Sequence, residues 1–336
     1  MNKKIYIVLF LLSVSIFAQA AERKVIDMNE RVITLNKEIE SLVTVGATPS
    51  LNVFLFALGK ANLIKNGVQD NGLKKFPIWK TQNYFLKNLY DLPQVSSNPP
   101  DWNPNYEVLI SMKFDIALVN NHIMAERLEA KGIKTVVILS NQPNGVKKTI
   151  AFLGELFQEK ARAIKYLEYF DKNIKMIQSI TNQEQLKKKK AIYLRLDNMT
   201  TSMMSNTNEL LTQAGAITHP SDLILNNASL NIEKLLAWDP DVLFVWSRND
   251  LNIAYKDERF KNLTAVKNKE VYVVPMGAFL WTFSTPEQPL AALWCAQKIY
   301  PENFKNIDIH QEAKEFYKKF MYQELTDEQL ASILER

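Results

Sequence analysis

Arg195 and Arg248 are the two cations whose neighbours in sequence suit ligand chemistry. A guanidinium is a planar fork able to clamp a carboxylate, a catecholate or another anion. Trp246, Phe279 and Trp281 offer flat apolar faces for the body of a large ligand. Met199 and Met276 supply adaptable contacts or soft metal ligands, and His122 a single imidazole that could touch a ligand or a metal. Each has an ordinary use as well. Methionines pack, Trp246 can cap a sheet, and Arg195 on an alternating strand can point into a cleft or into solvent. His122 can stand at a helix start behind Asn120 or Asn121 as N-cap.

Catalysis finds little support. His122, His219 and His310 are scattered, and no Gly-x-Ser-x-Gly elbow, Walker loop or HExxH pair occurs. Neither a Ser-His-acid triad nor a zinc centre can be assembled from them. The residues predict a binding protein rather than an enzyme, with a hydrolase on the same scaffold as the alternative.

Short runs rich in β-branched residues, at 42–45, 114–119, 135–139, 191–196, 242–246 and 271–274, alternate with amphipathic stretches. This is the pattern of α/β units with parallel sheets. Ligands of such sheets bind beyond the carboxyl ends of the strands. The loops there carry Thr48, Trp79 with Lys80, and Asn121 with His122 in the first half. In the second they carry Arg195, Met199, Trp246 with Arg248, and the stretch "VVPMGAFLWTFSTPEQPLAALW" from Val273. So many large side chains in a connection need cover. The expectation is that Met276, Phe279 and Trp281 stand open and that a ligand covers them.

The chain opens with Lys3 and Lys4, an apolar run and Ala18-Gln19-Ala20, a secretory leader pattern ending at residue 20. The apolar run is short for a bilayer, which needs ~20 residues. No cysteine follows it to carry a lipid anchor, so a periplasmic protein is expected. The single cysteine, Cys295, rules out a disulfide framework. The formal charge of +5, partly supplied by the leader, is too mild to suggest nucleic acid.

"NYEVLISMKFDIALV" from Asn105 aligns without gaps on "NIEKLLAWDPDVLFV" from Asn231, with Asn, Glu, Leu, Asp and the closing Val recurring. Two similar lobes follow, at 21–157 and 183–336. Between them Ile164, Leu167, Phe170, Ile174 and Ile177 mark one long amphipathic helix over 158–182.

These segments resemble the periplasmic binding proteins of ABC importers for iron-siderophores and vitamin B12. The two repeat copies are similar to the helix–strand signature in each lobe of that family. "TIAFLGELFQEKARAIKYLEYF" resembles the start of its interlobe helix, and "FSTPEQPLAALWCAQKIYPENF" its C-terminal segment. The resemblance implies two Rossmann-like α/β lobes with parallel sheets, joined by a single long interlobe helix. It implies a monomer with no intrinsic cofactor that captures a metal complex (iron-siderophore, haem, cobalamin or metal chelate). The cargo then passes to an ABC permease, docked through one acid on each lobe, Glu107 and Glu209. With few arginines at the cleft, an oxyanion such as molybdate stands as the alternative cargo.

Overall fold

The computed structural model describes residues 22–35, 38–68, 77–97, 102–201, 204–219 and 229–335. The leader pattern and the 70–76 and 98–101 stretches lie outside them. An antiparallel hairpin, β1 (Arg23–Ile26) and β2 (Val32–Leu35), precedes two three-stranded parallel sheets. The first holds β3 (Leu42–Val45), β4 (Ile116–Val119) and β5 (Thr135–Val137) in chain order. The second holds β6 (Ala191–Leu194), β7 (Val242–Val245) and β8 (Val271–Val273), also in chain order. Beside each first strand sits one further parallel bridge, Leu42 with Ile64 and Lys190 with Ile217. The two sheets thus repeat one topology.

Helices alternate with the strands: α1 (Thr48–Ala57), α2 (Tyr106–Ser111), α3 (His122–Glu129), α4 (Gly145–Leu156) and α5 (Lys160–Thr181). After the second sheet begins come α6 (Met204–Gln213), α7 (Ile232–Trp238) and α8 (Arg248–Lys256), and after it α9 (Gln288–Ile299), α10 (Ile309–Met321) and α11 (Asp327–Leu334). The repeat read from the sequence is a structural one. Asn105 and Asn231 each cap their helix by accepting an N–H, from Val108 and from Lys234. Asp115 and Asp241 each accept the N–H of a residue leading into the neighbouring strand, Ser41 and Lys190. Gly132 and Gly215, at φ +78° and +85°, end α3 and α6 in the left-handed region that a side chain would strain.

Alternation along the strands sorts side chains onto two faces. Val43, Val45, Ala117 and Val119 meet α2 and α3 through Leu109 and Leu128. Ile192, Leu194, Leu243 and Val245 meet α7 and α8 through Leu235 and Ala254. The opposite faces, Leu42, Ile116 and Leu118 with Ala191, Tyr193 and Phe244, belong to one continuous core shared by both halves. A sheet covered on both faces reads as an unbroken apolar run, which is why these strands are so uniformly hydrophobic.

The 22-residue α5 spans about 33 Å at ~1.5 Å per residue and packs on α4 and α9. Gly154 of α4 lets the two helices close up, since a Cβ there would come within 2.5 Å of the Ala163 Cβ. Other elements also cross between the halves. α1 packs on α10, and Tyr166 of α5 donates its hydroxyl to the Pro286 carbonyl at 2.8 Å.

Candidate functional site

Register brings the strand ends level, Val45 beside Val119 beside Val137 and Leu194 beside Val245 beside Val273. The loops that follow therefore share one rim in each half. In the first half Gly46, at φ +92°, turns the chain close to Asn120, whose Oδ1 would lie 3.0 Å from a Cβ on it. Asn121 caps α3 by accepting the Met124 N–H at 2.8 Å. His122 is then the first helical residue, and it is exposed. Lys80 is exposed as well, while the side chain of Trp79 lies outside the described residues. Thr48 is fully buried and donates its hydroxyl inward to the Thr44 carbonyl at 2.8 Å. It faces the core, where it shares the Thr44 carbonyl with the Asn66 amide, so its expected place on the rim is corrected.

In the second half Arg195 and Trp246 are brought together. The guanidinium carbon lies 4.7 Å from the indole ring centre, and Nη2 lies 3.3 Å from Asp197 Oδ2. At that distance the ring face attracts the cation and restrains it. Its side chain is 33% exposed, enough to meet a ligand. Met199, half-buried with φ +55°, turns the loop back so that Arg195 and Thr200 exchange backbone hydrogen bonds. Its side chain packs on the outer core of the second sheet, which leaves packing as the use the structure shows. Arg248 is exposed at the first position of α8, behind Ser247 as cap. Its Nη2 donates to the Glu335 carbonyl at 3.2 Å. His122 and Arg248 thus hold equivalent positions on the two halves.

Two carboxylates escaped sequence reasoning. Asp250, fully buried, accepts the N–H groups of Leu196 and Asp197 at 2.7 and 2.9 Å and the Ser247 hydroxyl at 2.6 Å. It ties the Arg195 loop to the start of α8. The Ser-x-x-Asp spacing over 247–250 was the available signal. Glu287, also fully buried, accepts the N–H groups of Ala278 and Phe279 and the Tyr317 hydroxyl, at 2.8, 3.0 and 2.6 Å. Burial pushes its pKa up to about 7, against those hydrogen bonds.

Glu287 explains the 275–287 loop, and the explanation overturns its expected openness. Met276, Phe279 and Trp281 are 3%, 6% and 1% exposed. The chain folds over its own carboxylate, with Trp281 edge-on to Trp294 of α9 and Phe279 edge-on to Phe283. Gly277 is required at the turn, because a Cβ would meet Glu287 Oε1 at 1.8 Å and Tyr317 Oη at 2.1 Å. The aromatics are covered by the protein's own core.

The two rims converge. Gln82 donates to the Pro49 carbonyl at 2.6 Å and to the Ala278 carbonyl at 2.8 Å, so the loop after β3 meets the loop after β8. Asn144, beyond β5, donates its N–H to Glu209 of α6 at 3.3 Å. Glu209 is half-buried, and burial raises its pKa. It belongs to the junction between the halves, whereas Glu107 is exposed on α2. The repeat gives Glu107 a different counterpart, Glu233, equally exposed on α7. Among the described residues no three His, Cys, Asp or Glu side chains converge to hold a metal. A hollow of about 280 Å³ between Ile110, Met112, Phe114 and Lys134 opens at the opposite strand ends, away from both rims.

Two parallel sheets, each covered on both faces and joined near their carboxyl ends through Gln82 and Asn144, have the two-lobed α/β architecture in which ligands bind beyond the strand ends. The chain belongs to the family described as periplasmic binding protein, whose model matches residues 67–277. It is 24% identical over 351 residues to the molybdate-binding protein MolA of Haemophilus influenzae, covering 95% of this chain and 97% of that one. The solved structure of MolA bound to molybdate superposes with TM-score 0.74 at 21% identity, covering 90% of this chain and 99% of that one. A periplasmic solute binding protein from Veillonella parvula gives TM-score 0.78 at 22% identity, with 94% and 97% covered. Helicobacter pylori CeuE in its nickel–histidine complex gives 0.73 at 21% identity, with 92% and 98% covered.

Proposed function

We propose that this chain is the capture component of an ABC importer. Its lobes, 21–157 and 183–336 on either side of the 158–182 helix, hold a compact anionic cargo between the converged rims. The leader is cleaved after residue 20 and the protein works as a periplasmic monomer without catalysis or a resident cofactor. The observation that carries this reading is Arg195, its guanidinium over the Trp246 ring at the carboxyl end of β6 and part-exposed. Arg248 in the same half, and His122 and Lys80 in the other, are exposed polar side chains on the loops and helix starts of the two rims. Such a set suits a small oxyanion, or a metal chelate carrying net negative charge, in preference to a tri-anionic siderophore. The likeness to a molybdate-binding protein over nearly the whole chain favours the oxyanion. A metal cargo would arrive already chelated, with the exposed His122 as a candidate contact.

For delivery to the permease we place an acid on each lobe, Glu107 on the first and, in place of the half-buried Glu209, the exposed Glu233 on the second. The decisive experiment is isothermal titration of the mature protein with molybdate, nickel with histidine, a ferric siderophore and cobalamin. Saturable binding of molybdate or the nickel chelate, weakened at least about tenfold by Arg195→Ala, is the expected result. Tight binding of cobalamin or the siderophore, untouched by that substitution, would overturn the anionic reading.

A further inference from the structure

Asp250 grips both segments that steer Arg195. The guanidinium has one hydrogen-bond partner among the described residues, Asp197, and one aromatic neighbour, Trp246. Its Nε is buried without a partner among those residues. The direction of the fork therefore depends on where Asp197 and Trp246 stand. Asp250 Oδ1 accepts the Leu196 and Asp197 N–H groups at 2.7 and 2.9 Å, which holds the backbone of the first. Oδ2 accepts the hydroxyl of Ser247, the residue next to Trp246, at 2.6 Å. The internal repeat separates this task from ordinary packing. Met124 holds the equivalent position in the first half, buried among the apolar residues through which α3 packs on its sheet. An apolar side chain thus suffices to seat that helix. In the second half a carboxylate stands there, fully buried, and its described hydrogen bonds come from neutral donors. Burying a charge with no cation beside it is costly, so packing alone does not account for it. Nor is it an ordinary cap. A capping box turns its acid back to the N-cap N–H, whereas Oδ1 reaches across to the loop after β6.

We propose that Asp250 is a positioning residue for ligand capture. It holds Asp197 and Trp246, and through them the guanidinium of Arg195, in the arrangement that receives an anion. Being buried, it touches no ligand itself and acts by preorganisation. A fork already held in place needs less ordering when the anion arrives. This role rests on the anion-capture reading.

The test is isothermal titration of the full mature protein with molybdate and with the nickel–histidine chelate, on a double-mutant cycle of Asp250 and Arg195. Asp250→Ala should weaken whichever probe binds by at least about tenfold. In the Arg195→Ala background the same substitution should change affinity by less than about twofold. Asp250→Asn should recover most of the loss, because its amide oxygen still accepts both N–H groups while its NH2 donates to the Ser247 hydroxyl. Asp250→Glu keeps the carboxylate but displaces it by one methylene, and should bind about as poorly as the alanine variant. It takes the place of that variant should circular dichroism show alanine unfolded. Losses of equal size with and without Arg195, or wild-type affinity in a folded alanine or glutamate variant, would overturn the role of Asp250 and leave the capture reading standing. Failure of the wild-type protein to bind either probe would overturn the capture reading and this role with it.

Discussion

Gln82 donates its amide to the carbonyl of Ala278, 196 residues further along the chain, at 2.8 Å. The same nitrogen donates to Pro49, and the amide oxygen accepts from Asn52 Nδ2 at 3.2 Å. A fully buried side chain thus joins the rims of the two halves, within the layer where their cores merge. The halves are fastened by more than the helix between them, which limits how far they can move apart.

Replacing Gln82 with Ala removes the partner of the buried Ala278 carbonyl and of the Asn52 amide, and one of the partners of the Pro49 carbonyl, which also serves α1. Each of the first two groups costs ~1–3 kcal/mol, so a loss of roughly 2–6 kcal/mol is expected in chemical denaturation. A change below about 0.5 kcal/mol would mean that the junction is held elsewhere.

Glu287 makes stability depend on pH with a definite sign. Its carboxyl titrates at about 7 in the folded state and near ~4.3 in the unfolded chain. Between those values the folded state holds a proton that the unfolded state lacks. Stability therefore falls as pH rises through that window and levels off above it, by an amount on the order of 3 kcal/mol. Glu287→Gln removes this titration. The difference in unfolding free energy between wild type and variant should shift in favour of the variant from pH 4 to pH 8. A difference that stays flat across that range would show the carboxyl titrating normally.

Trp281 and Trp246 separate fold from function. Trp281→Ala empties a core site and should cost ~3–5 kcal/mol, with ligand affinity recovered wherever the protein remains folded. Trp246→Ala, at a half-buried position, should cost markedly less stability but remove the ring that restrains Arg195 and weaken anion binding. Equal losses of stability in the two variants would erase the distinction drawn between them.

The amino-acid sequence by itself carries the six strands, the helix over 160–181 and the internal repeat. These depend on local apolar periodicity and on caps such as Asn105 and Asn231, which act within a few residues. It also places Asn121, His122, Arg195, Trp246 and Arg248 on loops at strand ends, since that follows from strand boundaries alone. Which loop side chains face outward is another matter. Thr48 turned to Thr44, and Met276, Phe279 and Trp281 closed over Glu287, because buried backbone groups must find partners and apolar surface must leave water. For the 275–287 loop the carboxylate is held by Tyr317 and the apolar cover is Trp294, near only after α9 and α10 pack. The same holds for the acids. Glu107 and Glu209 look alike along the chain, and only the approach of Asn144 takes Glu209 into the junction and leaves Glu233 as the exposed twin of Glu107.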